Sequence, residues 1–187
     1  MKKYELTSET KIVFGHILYR IKALSSFGCV SAGDLGGFLE SEKNLSQNGN
    51  AWVSGNAEVY GNAEVYGNAE VSGNARVSGN AEVSGNARVS GNAWVSGDAW
   101  VSGNAEVSEI GAIFWIGAIG SRNDTATFFR CRDGSIKVVC GCFFGNLDEF
   151  AKKVRKTHGD NDHAKVYMLA IEMAKIRIGD KKEKTEE

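Results

Sequence analysis

"GNAEVYGNAEVYGNAEVSGNARVSGNAEVSGNARVSGNAWVSGDAWVSGNAEVS" occupies residues 55–108, and its reading decides the fold. One six-residue phrase runs throughout, varied chiefly between alanine and valine and just after the valine. Valine recurs every six residues from Val53 to Val107, and an alanine precedes each by two, from Ala51 to Ala105. On an extended strand, residues two apart share a face. Ala and Val therefore point inward together, while the residue between them and the Ser or Tyr after them point outward. The Gly-Asn pair (Gly97-Asp98 in one copy) falls at a corner, where these residues tolerate the positive φ of a sharp bend.

Strands joined by such corners close into a triangular coil of three repeats, so each residue rests beneath the one eighteen further on. Coils stack at the ordinary strand spacing of ~4.8 Å. Each buried valine contributes roughly 1.5–3 kcal/mol, and no repeat can bury its own face alone. The outward residues fall into three columns: Trp52, Glu70, Arg88 and Glu106; Glu58, Arg76 and Trp94; Glu64, Glu82 and Trp100. Alternating Glu and Arg in the first two select register along the stack. The third sets two carboxylates one rung apart, a repulsion of only about 1 kcal/mol in water, which the stack can tolerate.

The rest of the chain bounds the class. Its 187 residues give one domain or two small ones, and 22 Lys+Arg against 23 Asp+Glu create no field toward nucleic acid or a membrane surface. No apolar signal region follows Met1-Lys2-Lys3, and the longest apolar run, 110–120, falls short of the ~20 residues of a membrane span. Cys29, Cys131, Cys140 and Cys142 are unevenly spaced and read as reduced thiols, so a cytoplasmic location is expected. The 23 glycines keep register with apolar residues, which flexible linkers have no reason to do.

The unit Ala-x-Val-Ser-Gly-Asn resembles the hexapeptide repeat of left-handed parallel β-helix proteins over residues 51–107. The resemblance implies that handedness. It also implies an acyltransferase activity common in that family, a trimer, and an active site between neighbouring helices with a histidine as general base. His16, His158 and His163 all lie outside the repeats, so the expectation leans away from an enzyme. Residues 33–53 resemble the lead-in segment of uncharacterised hexapeptide-repeat proteins of bacteriophages and prophages.

The expected architecture is mainly β. Residues 1–50 cap the solenoid, 51–109 form about 3–4 coils, 110–179 form a small α+β (βββαα) domain, and 180–187 form a disordered tail. In the cap, "KIVFGHILYRIKAL" predicts two strands turning near Phe14-Gly15, with Ile17, Tyr19, Ile21 and Ala23 on one face. Leu39 and Leu45, six apart, predict an imperfect first coil that reaches Val53 with a two-residue excess at one corner. Beyond the repeats the pattern predicts strands near 112–120, 125–131 and 135–143. A helix from Leu147 follows, capped by Asn146 and Glu149, then a second from about His163 to Ile178 burying Val166, Leu169, Ala170, Met173 and Ile176.

The candidate contact residues are the outward aromatics Trp52, Tyr60, Tyr66, Trp94 and Trp100, read equally as subunit or partner contacts and as surfaces for the chain's own ends. Ser121, Arg122 and Asn123, with His158, cluster donors and acceptors suited to an anion or nucleotide. A turn at Asp133-Gly134 puts Cys131, Phe129, Val138, Cys140 and Cys142 on one strand face, which favours core thiols over zinc; no metal or cofactor is expected. The basic residues Lys152, Lys153, Arg155 and Lys156 read as a solvated helix face. Taken together, the residues lead to the expectation of a homotrimeric binding scaffold, phage-encoded and directed at a host protein of a defence system. A nucleotide-sequestering protein and an acyltransferase are the alternatives.

Overall fold

The computed structural model describes residues 2–179; the tail expected at 180–187 lies outside the described residues. The chain divides into two compact units, Met1–Ile110 and Gly111–Glu187.

In the first unit, β1 (Tyr4–Val13), β2 (His16–Ala23) and β3 (Leu35–Leu39) precede ten two-residue rungs. These are β4 (Trp52–Val53), β5 (Glu58–Val59), β6 (Glu64–Val65), β7 (Glu70–Val71), β8 (Arg76–Val77), β9 (Glu82–Val83), β10 (Arg88–Val89), β11 (Trp94–Val95), β12 (Trp100–Val101) and β13 (Glu106–Val107). They stack in parallel as three sheets, β4-β7-β10-β13, β6-β9-β12, and β5-β8-β11 continued by β3. Val53 pairs with Val71, Val71 with Val89 and Val89 with Val107, and the outward columns stack in the expected order. Every repeat valine is fully buried, and every alanine two before it is at most 1% exposed. Leu39 rests on Val59 and Leu45 bridges Val65, so Leu39, Leu45 and Val53 form the first of four coils.

The corners explain the glycine. Gly79 has φ +69°, and a Cβ there would stand 2.9 Å from the backbone nitrogen of Gly97 in the coil above. Beside it run side-chain amide ladders, Asn50–Asn68–Asn86, Asn56–Asn74–Asn92 and Asn62–Asn80–Asp98, with contacts of 2.9–3.4 Å. Each amide donates toward the later coil. Asp98 can only accept, and it stands as acceptor to Asn80.

The solenoid's first coil is closed by side chains. Lys3 Nζ donates to the carbonyl of Ala51 at 2.9 Å, and Tyr4 Oη lies 2.7 Å from the carbonyl of Leu45. β1 and β2 meet through Phe14 (φ 48°) and Gly15 (φ 86°), the positive pair that a two-residue hairpin turn requires. The hairpin then continues the β3 sheet by antiparallel pairing. The expected face of β2 needs correction. Ile21 and Ala23 are buried, but Ile17 is 50% exposed, and Leu18, on the opposite face, packs against Phe38 and Tyr60. The pairing is regular from His16 to Arg20, so alternation holds there, and the Leu18 face is buried because Phe38 and Tyr60 cover it.

The second unit is an antiparallel meander, β14 (Ile113–Ile119), β15 (Asp124–Arg130), β16 (Ile136–Cys140) and β17 (Phe143–Asn146), then α1 (Leu147–His158) and α2 (Asp162–Ile178). Four strands stand where three were expected, because the chain reverses at Gly141 (φ +54°) and Cys142, pairing Cys140 with Phe143. The register at Asp133-Gly134 also differs. Gly134 N–H donates to the Cys131 carbonyl and Cys131 N–H to the Ser135 carbonyl, which leaves Gly134, at φ +79°, as the extra residue. This bulge shifts the pairing by one, so Phe128 opposes Val138. Ala126, Phe128, Val138 and Cys140 then face the helices, while Phe129 and Cys131 lie on the other side of the strand.

α1 begins as expected: Asn146 Oδ1 accepts from Glu149 N–H at 2.8 Å, and Glu149 Oε2 accepts from Asn146 N–H at 2.9 Å. α2 is the larger correction. Ala170 is buried as expected, but Val166, Leu169, Met173 and Ile176 are 39%, 65%, 50% and 85% exposed. Ala164, Tyr167, Ile171, Ala174 and Ile178 join Ala170 in the core. The helix carries two apolar stripes, and the one rich in alanine lets it lie close to the sheet.

Replacing Val83 by Ala removes two buried methyl groups and is expected to lower stability by about 2 kcal/mol. Val83→Asp is expected to unfold the solenoid, because no partner waits for a carboxylate there. Urea titrations followed by circular dichroism measure both; an unchanged midpoint for Val83→Asp would place that side chain outside the core.

Lys3 is 5% exposed, and burial lowers its pKa from 10.5 to about 8. Between those values the unfolded chain binds more protons than the folded one, so the Lys3 contribution to stability rises with pH across that window and is least favourable below pH 8. The wild type should gain stability relative to Lys3→Met between about pH 8 and 10.5, read from paired denaturation curves. A pH-independent difference would contradict this.

Candidate functional site

The five outward aromatics separate into three groups. Trp52 is 8% exposed and is held edge-on by Phe27 at 5.5 Å and Tyr4 at 6.4 Å between ring centres. Tyr60 is 6% exposed, packed on Leu18 and Phe38, with its ring 5.1 Å from that of His16. Of the two uses expected for these residues, both serve the chain's own N-terminal segment. Tyr66 is half-buried and donates to Glu82 Oε2 at 2.8 Å. Its hydroxyl therefore sets a hydrogen-bond donor against the Glu64–Glu82 column, and burial raises its pKa.

Trp94 and Trp100 differ. They are 41% and 38% exposed, on adjacent faces of the last coil, separated by the Gly97-Asp98 corner. Each indole lies back over the preceding coil, with Nε1 3.5 Å from Ser78 Oγ for Trp94 and 3.3 Å from Ser84 Oγ for Trp100. Two large amphipathic side chains are thus fixed to a rigid backbone at one end of the solenoid.

The charged columns serve the fold. Glu58, 8% exposed, lies between Lys11 Nζ at 2.8 Å and Arg76 Nε at 2.9 Å. Lys11 sits over the Phe38 ring at 3.9 Å and Arg76 over the Phe14 ring at 5.4 Å, so this cluster fastens the hairpin to the outer side of the sheet. In the first column Arg88 pairs with Glu70 at 3.1 Å.

One pair escaped the sequence reading. His16 Nδ1 lies 2.8 Å from Glu40 Oε1, and Glu40 Oε2 accepts from the backbone of Gly61 at 2.7 Å. The hydrogen bond from His16 holds the Glu40 carboxyl below its usual range. Nothing in the spacing of the two residues signals the contact. It arises because β2 and β3 run antiparallel, which brings their outer ends together.

In the second unit a polar cluster surrounds Tyr167. Its ring stacks on His158 at 5.8 Å with 26° between planes and stands edge-on to Phe150 at 5.5 Å. Its hydroxyl lies 3.8 Å from Cys140 Sγ, and burial, then Cys140, pushes its pKa up to about 12. Gly120 has φ +72°, and any side chain there would run into that hydroxyl. Arg122 and Asp124 lie against Gly141, where a Cβ would stand 2.8 Å from Asp124 Oδ2. Of the predicted ligand residues, Ser121, Arg122 and Asn123 are all exposed in the turn, with Arg122 on the side of the Tyr167 hydroxyl, and His158 covers the Tyr167 ring. His163 adds a second imidazole 5.7 Å from His158.

The repeats are similar to a known unit. The family described as the YdcK Beta solenoid repeat matches residues 69–85 and 81–97. That match covers the middle of the repeats and agrees with the solenoid seen in the structure. No curated protein matches the chain. Among the described residues, no group of three or more His, Cys, Asp or Glu side chains gathers as a metal site. No helix among them is long and apolar enough to cross a membrane. Lys152, Lys153, Arg155 and Lys156 are all exposed on α1.

Cys131 and Cys140 are buried, which raises the pKa of both thiols, whereas Cys29 and Cys142 are exposed. A thiol reagent at pH 8 should therefore modify Cys29 and Cys142 in the folded protein and reach Cys131 and Cys140 only after denaturation. Peptide mapping by mass spectrometry checks the order, and early labelling of Cys140 would place it outside the core.

Proposed function

We propose that this protein is a non-catalytic binding scaffold in which the four-coil solenoid is the rigid carrier and Trp94 with Trp100 the anchors for a protein partner. The exposure of these two residues on adjacent faces of one coil carries the reading. The N-terminal end supplies the physical precedent, because there Trp52 and Tyr60 are sockets filled by Phe27, Tyr4 and Leu18. Trp94 and Trp100 offer comparable surface at the far end of the stack. Tryptophan buries a large area with few rotamers to freeze, which is why it dominates the energy of many interfaces. The partner of this reading is a bacterial host protein, a defence component if the likeness of residues 33–53 to phage and prophage proteins reflects the origin of the chain. A trimer formed through the same tryptophans is the self-associating form of the proposal.

A second reading rests on the Tyr167 cluster, where Arg122 lies near the hydroxyl of a buried phenol, His158 stacks on its ring and His163 stands beside His158. Cationic and stacking groups of this kind suit a nucleotide, and such a ligand would co-purify and appear by mass spectrometry after denaturation.

The tryptophan reading is tested by affinity capture from bacterial lysate with the full chain and with Trp94→Ala/Trp100→Ala. Removing two anchors should weaken capture of a specific protein by on the order of a hundredfold or more, with an unchanged circular dichroism spectrum. Light scattering on both proteins separates a foreign partner from self-association. Identical captured proteins and identical mass would overturn the proposal.

A further inference from the structure

α2 presents to solvent a face that its own unit does not use. At 100° per residue, Val166, Leu169, Met173 and Ile176 fall within one stripe, on the side of the helix away from Ala164, Tyr167, Ile171, Ala174 and Ile178. Their spacing of three, four and three is the a and d pattern of a two-stranded helical seam, carried through two heptads. A helix stabilised only by its inner contacts has no need of an outer row holding Ile176 at 85% exposure.

We infer that this stripe is a self-association seam, along which α2 pairs in parallel with α2 of a second copy of the chain. The flanking charges select that occupant and that direction. Glu172 borders the stripe on one side and Arg177 on the other, five residues apart. In a parallel pair with a and d positions in register, this spacing brings Glu172 of each copy to Arg177 of the other, twice by symmetry. The antiparallel alternative that matches Val166 with Ile176 places the two Glu172 carboxylates against each other. Within its own helix Glu172 already pairs with Lys175 at 2.9 Å, an exposed contact that contributes little and leaves one carboxylate oxygen open.

Other occupants fit less well. Residues 180–187 read DKKEKTEE and hold no apolar side chain to lay on the stripe. A lipid surface calls for a basic polar border, but here Lys165 and Glu172 share one flank. The stripe offers on the order of 400 Å² per copy, about half of each partner's share in a standard interface, so the pairing is weak and concentration-dependent.

Sedimentation equilibrium of the full chain over micromolar to millimolar concentration is the test. The wild type should show reversible association, and Leu169→Lys/Ile176→Lys should weaken it by about tenfold or more. Both substitutions fall on exposed positions, so folding is retained and is verified by circular dichroism. Glu172→Arg should weaken association and Glu172→Arg/Arg177→Glu restore it. Parallel register adds a covalent readout: in a Cys29→Ser/Cys142→Ser background, Ile176→Cys should oxidise to a symmetric dimer. A chain monomeric at all concentrations, or association unaltered by the lysine pair but lost in Trp94→Ala/Trp100→Ala, would overturn the inference. Failure of the charge swap to rescue, or of Ile176→Cys to cross-link, would overturn the parallel pairing.

Discussion

Valine resting on valine, eighteen residues on, is the contact on which the first unit depends. A rung of two residues is far too short to persist as a strand, and one repeat buries only half a face. Stability therefore resides between coils, where the methyl groups interlock and the backbone bonds of one coil complete those of the next. Such an arrangement rewards identity. Any side chain larger than valine would have to be accommodated in the coils on both sides, and any Cβ at a corner such as Gly79 would press on the glycine above it. The monotony of the sequence is the chemical record of that constraint.

Where the constraint holds, the sequence is nearly transparent. The pairing of Glu58 with Arg76, of Arg88 with Glu70 and of Glu64 with Glu82 could be read from a period of eighteen alone, and the six-residue spacing of Leu39 and Leu45, with two residues in excess before Val53, marked the imperfect first coil. The capping box at Asn146 and Glu149 was equally legible, because it is a local exchange of two hydrogen bonds. The misread parts share one cause, in that a single extra residue or a second apolar face decides the matter. In β2, Leu18 is buried on the outer face by Phe38 and Tyr60, and in the second unit a bulge turned Phe129 away from Val138. On α2 both stripes satisfy a helical period, and only packing selects the one that faces the sheet. Contacts such as His16 with Glu40, or His158 with Tyr167, join segments whose approach depends on tertiary structure.

The two ends of the solenoid solve opposite problems with the same residue types. At the first coil, aromatic side chains take up the N-terminal segment, while Lys3 and Tyr4 supply donors to carbonyls that another coil would otherwise meet. Burial there lowers the pKa of Lys3 to about 8, so the closure grows more favourable as pH rises from about 8 to 10.5. At the last coil, Trp94 and Trp100 keep more than a third of their surface open, held in place by serine hydroxyls from the coil before. Rigidity along the stack means that whatever engages these rings meets a surface already ordered.

The triangular cross-section also makes chain length a question of angle. Insertion or loss of eighteen residues within the repeats returns every Ala, Val and Asn to its column and leaves the N-terminal hairpin and the tryptophan pair on their original faces. A change of six or twelve keeps the interior intact but rotates the two ends by one or two thirds of a turn. The tryptophans would then project from sides of the prism on which they now have no place. Repeat number therefore acts as an angular dial between the two ends.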